Sequence, residues 1–408
     1  MMNETVLREY ARLIACCGAN VQKGQDVLVQ AGLDQPEFVA LVVEEAYKAG
    51  AREVTVHWNY QPLTKIHYQY QDVETLGTVT EWQKAREQHY CDTLPARIVL
   101  TSADPDGLKG VDREKMVKAS QMSYPILKPY SDERNGRQQW TVAAVPGVAW
   151  AKKVFPGVSE EEAVAKLWDA ILSASRVDGD PVKAWENHNR NMESRCAYLN
   201  KLDITEIHFT AANGTDLTVG MIPESQFCGG GETSKEGIFF NPNIPTEECF
   251  TTPMRGKAEG IVYSTKPLSY QGQLIDNFWV RFQEGKAVEV GAETGLELLK
   301  DMISMDEGAA YLGECALVPV ASPISESGLL FYNTLFDENA ACHLALGAGY
   351  ADTIKDYHNK TLEECQALGV NDSMIHVDFM IGCDSMSIDA LCADGKTVRI
   401  FENGNWAF

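Results

Sequence analysis

Three segments in the second half of the chain concentrate side chains able to hold a metal ion or move a proton. Asn243-Ile-Pro-Thr-Glu247-Glu248-Cys-Phe places two adjacent carboxylates after a proline, and Tyr311-Leu-Gly-Glu314-Cys-Ala-Leu-Val-Pro sets one carboxylate in an apolar run. The stretch from Leu335 to Asp384 carries His343, Tyr350, His376 and Asp378. Neutral imidazole and carboxylate are the ligands of zinc, cobalt and manganese-type ions.

Each segment has an ordinary reading beside the chemical one. Pro-Thr-Glu-Glu is also an exposed turn or helix start, and on an extended backbone only one of two neighbouring carboxylates faces a given ion. Glu314 must pair with a base or a metal if it is buried, because an isolated carboxylate is costly to desolvate, or else it sits on an exposed edge. His376 and Asp378 are two apart in a strand-like segment and so share a face, with Ile375, Val377, Phe379 and Ile381 on the other. His343 and Tyr350 share a face if their segment is helical, which Gly347 and Gly349 leave open. No His-Glu-x-x-His helix, Gly-x-Ser-x-Gly elbow or deaminase Cys-x-x-Cys occurs. Spacing alone gives a possible metal site in the second half.

The elements that must position these residues fall into two textures. Up to residue 202 the pattern is helix (4–18), strand (25–30), helix from Pro36 closed by Gly50, strand (52–58), strand (97–101), helix (112–122), strand (139–145), a Ser159/Glu162 capping box opening a helix to 175, and a helix over 182–202. This predicts an α/β domain, residues 1–202, with a mostly parallel sheet. No phosphate loop follows any of its strands, so it is expected to act as a scaffold or dimer element. From 203 to 408 a hairpin at 205–210 and 216–221 turns on Asn213-Gly214. Strands follow at 258–265, 276–283 and 286–291, a helix at 292–305, and final strands at 374–381, 385–391 and 398–401. This half is expected to be an α+β domain with mainly antiparallel sheet that carries the metal site.

Composition narrows the partners. The 408 residues are 45% hydrophobic and 23% charged, suited to a folded chain of two or three domains. A formal charge of −23 argues against nucleic acid; it favours cationic ligands such as a peptide's terminal ammonium, or simply keeps the protein in solution. No apolar run of about 18 residues is present, so no membrane span is expected. The eleven cysteines include no zinc-ribbon or redox spacing, and no secretory signal is visible at the N-terminus, which points to free thiols in the cytoplasm.

The same motifs carry a resemblance. Asn243-Ile-Pro-Thr-Glu-Glu-Cys-Phe-Thr-Thr-Pro, Leu335-Phe-Asp-Glu-Asn-Ala-Ala-Cys-His-Leu-Ala-Leu-Gly and His376-Val-Asp-Phe-Met-Ile-Gly, with Tyr10-Ala-Arg-Leu and Ala46-Tyr-Lys-Ala-Gly-Ala nearer the start, resemble the aminopeptidase T / aminopeptidase S / PepS family of metallo-aminopeptidases. The resemblance spans nearly the whole chain. It implies two domains, a homodimer enclosing the active site, and a C-terminal centre of two divalent ions, whether zinc, cobalt or magnesium. The implied ligands are Glu248, Glu314, His343, His376 and Asp378, with Tyr350 beside them to donate to the developing oxyanion. Glu248 is expected to bridge the ions and Glu247 to be the general base, although the two roles could be exchanged. Cys249 stands where the family usually has an aliphatic residue. The implied substrates are peptides with a free N-terminus. A non-catalytic metal- or peptide-binding protein, or another dinuclear hydrolase such as a phosphoesterase, are the alternatives, the last disfavoured by the acidic charge.

Overall fold

The computed structural model describes residues 3–408, which divide into two compact units. The first comprises residues 3–188 with Gly231–Pro245, the second Asn189–Gly230 with Thr246–Phe408. The expected boundary at 202/203 and this division differ in two places: the border lies within the helix Pro181–Lys201, and 231–245 groups with the first unit. The return has a local cause, because Asn243–Ile244 pairs in parallel with the strand Trp140–Ala144.

In the first unit β1 (Asp26–Gly32), β2 (Glu53–Asn59), β3 (Ala96–Thr101) and β4 (Trp140–Ala144) form a parallel sheet in the order β2-β1-β3-β4, followed by Asn243–Ile244. The helix Pro36–Ala49 connects β1 to β2, with proline in its first turn and Gly50 closing it in the left-handed region at φ 115°. Tyr10, Phe38 and Trp168 pack together, with ring centroids 5.5 Å (Tyr10–Phe38) and 5.3 Å (Phe38–Trp168) apart. Two helices, Gln61–Tyr70 and Glu81–Thr93, were not expected from the sequence: the first leaves its apolar Leu63 and Ile66 exposed, and the second, burying only Cys91, carries no apolar stripe. The helix that opens at Arg113 runs to Arg134 instead of ending near Met122, continuing through Pro125 and Pro129 with only Ala119 buried.

The second unit contains two antiparallel sheets. The larger has nine strands, including the expected hairpin Ile204–Thr210 and Asp216–Met221, which turns at Gly214 with φ 101°. Its strand Lys286–Thr294 reaches farther than expected, so the next helix begins at Leu296 after Gly295 turns the chain at φ 77°. The smaller sheet has four strands in order: β5 (Cys249–Thr251), β6 (Leu312–Leu317), β7 (His343–Gly347) and β8 (His376–Met380). Cys249, Cys315, Leu317, Leu344, Leu346, Val377 and Phe379 join one continuous core with residues of the larger sheet. Phe379 packs against Phe278 at 5.6 Å; losing a buried ring of this kind costs about 3–5 kcal/mol. The core therefore fixes the four strands as a rigid plate whose opposite face is free to carry chemistry.

Candidate metal centre

The register of the small sheet decides which side chains meet. Phe250 lies opposite Ala316, Ala316 opposite His343, and His343 opposite Met380. Glu314 lies opposite Ala345, and Ala345 opposite Asp378; His376 faces Gly347. Because side chains alternate along a strand, these residues share the face away from the core. Alanine at 316 and 345 keeps the middle of that face low between the longer acids and imidazoles.

Glu314 reaches this face through a β-bulge. Leu312 pairs with Leu346 but Glu314 with the adjacent Ala345, so the register shifts at Gly313. In a regular strand, Leu312 and Glu314 would point the same way; the extra residue sends Leu312 into the core and Glu314 to the opposite face. A Cβ at Gly313 would lie 2.1 Å from the carbonyl oxygen of Ala348, so the bulge requires glycine.

Five of the expected residues converge into two groups, Glu248/Glu314/His343 and Glu314/His376/Asp378, each offering one ligand atom apiece within 4.8 Å of the others. His343 Nε2 is 3.1 Å from Glu248 Oε2 and 4.0 Å from Glu314 Oε1. His376 Nε2 is 3.1 Å from both Glu314 Oε2 and Asp378 Oδ1. Glu314 is thus the member common to both groups and directs one oxygen toward each. Tyr350 is in a loop after β7, not a turn of helix beyond His343, yet its Oη comes within 3.1 Å of His376 Nε2. Its phenol tip points inward while 39% of the residue stays open to solvent. Thr252 Oγ1 accepts from Tyr350 N–H at 2.9 Å, fixing the loop.

Glu247 and Glu248 are both buried, which rules out the exposed-turn reading of Pro-Thr-Glu-Glu. The Glu247 N–H donates to Asn339 Oδ1 at 2.6 Å. Among the described residues Glu247 belongs to neither metal-capable group. Glu338, which the sequence reading did not single out, is buried and acts electrostatically on Tyr350; Asp378, Glu248, His343 and Glu314 act on it in turn. Its signal was the second of two adjacent acids, Asp337 and Glu338, in the Leu-Phe-Asp-Glu-Asn motif, with no periodicity to say which way it points.

Hydrogen bonding fixes what the imidazoles can do. His376 Nδ1 is 2.7 Å from the Ala348 carbonyl and His343 Nδ1 is 3.2 Å from that of Ala341. A carbonyl only accepts, so both Nδ1 atoms carry the proton, and in each neutral ring Nε2 presents a lone pair. Both Nε2 atoms point at carboxylate oxygens, donating to them when the rings are charged and offering the lone pair to a cation when they are neutral. Asp378 Oδ1 is buried without an aligned donor, although His376 Nε2 lies close by.

Such an arrangement calls for positive charge between its members. Burial first, then the neighbouring Glu248 and Asp378 charges, push Glu314 up to about 7 against a hydrogen bond from His376. Burial together with Asp378 and Glu248 holds Glu338 well above the usual carboxyl range. Burial lowers His343, but the Glu248 hydrogen bond and the surrounding acids outweigh it and raise the ring to about 10. His376 is likewise raised, with burial opposed by Asp378 and Glu314. Four acids thus surround two imidazoles, and the donor set of oxygens and Nε2 atoms fits divalent cations, which supply that charge without protons.

A model of the thermophilic metalloprotease (M29) family matches residues 3–406. The chain belongs to this family. It is 43% identical over 404 residues to aminopeptidase AmpS of Bacillus subtilis (strain 168), covering 98% of each chain. The structure of wild-type AmpT from Thermus thermophilus superposes with a TM-score of 0.90 at 37% identity, covering 99% of this chain and 100% of that one. On this evidence the protein is a metal-dependent aminopeptidase with an α/β scaffold and antiparallel sheets. A 2,5-dihydroxypyridine dioxygenase from Pseudomonas putida KT2440 shares the fold alone, at TM-score 0.52 and 11% identity. No helix among the described residues is long and apolar enough to cross a membrane.

Proposed function

We propose that the enzyme binds two divalent cations, zinc, cobalt or magnesium, through Glu248, Glu314 and His343 on one side and Glu314, His376 and Asp378 on the other, and releases the N-terminal residue of peptides. The observation that carries this reading is the pair of Nε2 atoms gathered with carboxylate oxygens into two ligand groups that share Glu314. When bound, such ions supply Lewis acidity and lower the pKa of a nearby water. The protein's own groups do the rest. Glu247 takes the proton from the attacking water and returns it to the leaving amine, with Glu338 as the competing candidate. Tyr350 donates its phenolic hydrogen to the oxygen that gains charge at the scissile carbonyl. The substrate's terminal amine would be received by a bound ion or an acidic side chain, which limits cleavage to the first residue. We also propose a homodimer that restricts access to the site, and a cytoplasmic location in keeping with eleven free thiols.

Hydrolysis of aminoacyl chromogenic substrates, after chelation and resupply of cobalt, zinc or magnesium, tests the proposal. Activity should vanish with chelation, return with metal at about two ions per chain, and be absent on N-acetylated substrates. Comparable cleavage of a blocked peptide would refute the exopeptidase assignment, and one ion per chain in the active protein would refute the two-ion centre.

A further inference from the structure

The ligand face of the small sheet has one feature that metal binding does not explain. Ala316, Ala345 and Met380 on this face are buried, whereas Phe250 is half-buried. It stands two residues beyond Glu248, about 7 Å along the same face. Its neighbour across the sheet is Ala316, whose methyl cannot cover the ring. On the outer side the Phe250 ring meets that of Tyr350 edge-on, centroids 5.6 Å apart and planes at 72°. The corner is held firmly: Phe250 exchanges backbone hydrogen bonds of 2.8 and 2.9 Å with Cys228, and the Tyr350 carbonyl accepts from Thr252 and Thr353 hydroxyls at 3.1 and 2.8 Å. A rigid, partly open aromatic corner beside the ligands offers a surface against which an apolar group can lie.

We propose that Phe250 forms the apolar wall that receives the side chain of the substrate's N-terminal residue, so that the enzyme prefers large apolar residues there and rejects acidic ones. This rests on the ligand set proposed above. One Cα separates the terminal amine from the scissile carbonyl, and the first side chain leaves from that atom, between the two groups the site must hold. A wall immediately beside the ligands therefore meets the first side chain, while the second residue's side chain begins beyond the bond being cut. An acidic first residue would have to lay its carboxylate against the Phe250 ring, at a desolvation cost that an apolar side chain does not meet. The contact adds binding through apolar area, and it is lost selectively when the ring is removed.

The test is steady-state kinetics of Phe250→Ala and Phe250→Trp on leucine, phenylalanine and alanine p-nitroanilides and on the dipeptides Leu-Gly and Gly-Leu, with metal content measured alongside. For Phe250→Ala, kcat/KM on the leucine and phenylalanine substrates should fall roughly 10- to 50-fold, mostly through KM, and on alanine less than about threefold. Phe250→Trp should narrow the space and penalise phenylalanine most. Bound metal should be unchanged in both. An equal loss on all three p-nitroanilides would overturn the proposal by showing that Phe250 only supports Tyr350. A loss that follows the second residue, seen with Gly-Leu and not Leu-Gly, would overturn it by placing the wall beyond the scissile bond. Failure of the wild-type enzyme, metal-loaded, to cleave any free-amino substrate would instead remove the aminopeptidase reading on which the proposal stands.

Discussion

Replacing Glu314 by glutamine should change stability in opposite directions with and without metal. In the metal-free protein Glu314 is buried, and its carboxyl is raised to about 7 by desolvation and by Glu248 and Asp378. Against an unfolded value near 4.3, ionising it at pH 8 costs the fold about 3–4 kcal/mol. Glutamine removes that cost, from which the stabilising hydrogen bond with His376 is already subtracted. The metal-free variant should then exceed the wild type by up to about 3–4 kcal/mol, which is roughly 6–16 °C in Tm for a unit of this size. With metal the order reverses. Ligand at a hundred times its Kd adds about 2.7 kcal/mol per independent site, and the variant lacks the residue that belongs to both groups. The sign of the pH dependence follows. The folded pKa lies above the unfolded one, so the destabilisation is full above about 7, fades as pH falls through the interval, and is gone below about 4. Thermal unfolding of both proteins in chelator and in excess zinc or cobalt, at pH 5 and pH 8, provides the measurement. A chelated variant that melts more than about 4 °C below chelated wild type at pH 8 would show that Glu314 holds the fold through His376, and the reasoning would fail.

Glu247→Gln should retain metal and lose about 100-fold or more in kcat, as expected for removal of a general base. If Glu338→Gln produces that loss and Glu247→Gln does not, the proton carrier is Glu338; a metal-free Glu247→Gln protein would mean that Glu247 and Glu248 exchange roles. Tyr350→Phe should lower kcat roughly 100-fold at constant metal content, and an unchanged rate would remove the phenol from the reaction. Asp337 is pushed up to about 6 by burial despite N–H donation from Phe331 and Asn333. The Tm advantage of wild type over Asp337→Asn should therefore grow as pH falls from 7 toward 4; a constant difference across that range would show that Asp337 carries no such cost.

Much of the fold was legible from local pattern. β1 and β2 are continuous apolar or β-branched runs, Pro36 and Gly50 mark both ends of the helix between them, and Asn213-Gly214 fixes a hairpin. These signals are short-range, and a chain with no partner already expresses them. The exposed helix 61–70 is not legible in the sequence, and 113–134 only as far as Met122: the first buries nothing and the second a single alanine, and propensity without a buried face is a weak guide. Gly231–Pro245 could not be assigned to the first unit, because its pairing with β4 joins residues about a hundred positions apart.

The candidate site divides in the same way. The sequence by itself determined which donors exist, and one relation among them: His376 and Asp378 share a face because a strand repeats every two residues. Their separation of 3.1 Å follows from that. Tertiary structure decided the rest. Glu314 faces the imidazoles only because a bulge at Gly313 reverses its direction, and that reversal depends on the partner strand's register. Glu338 enters the cluster from a helical turn, and Glu314 comes to stand between the two groups, because side chains distant in sequence share one plate. The ligand types are a property of composition. Their arrangement is a property of strand pairing, which loop closure and core packing set, and no local stretch encodes it.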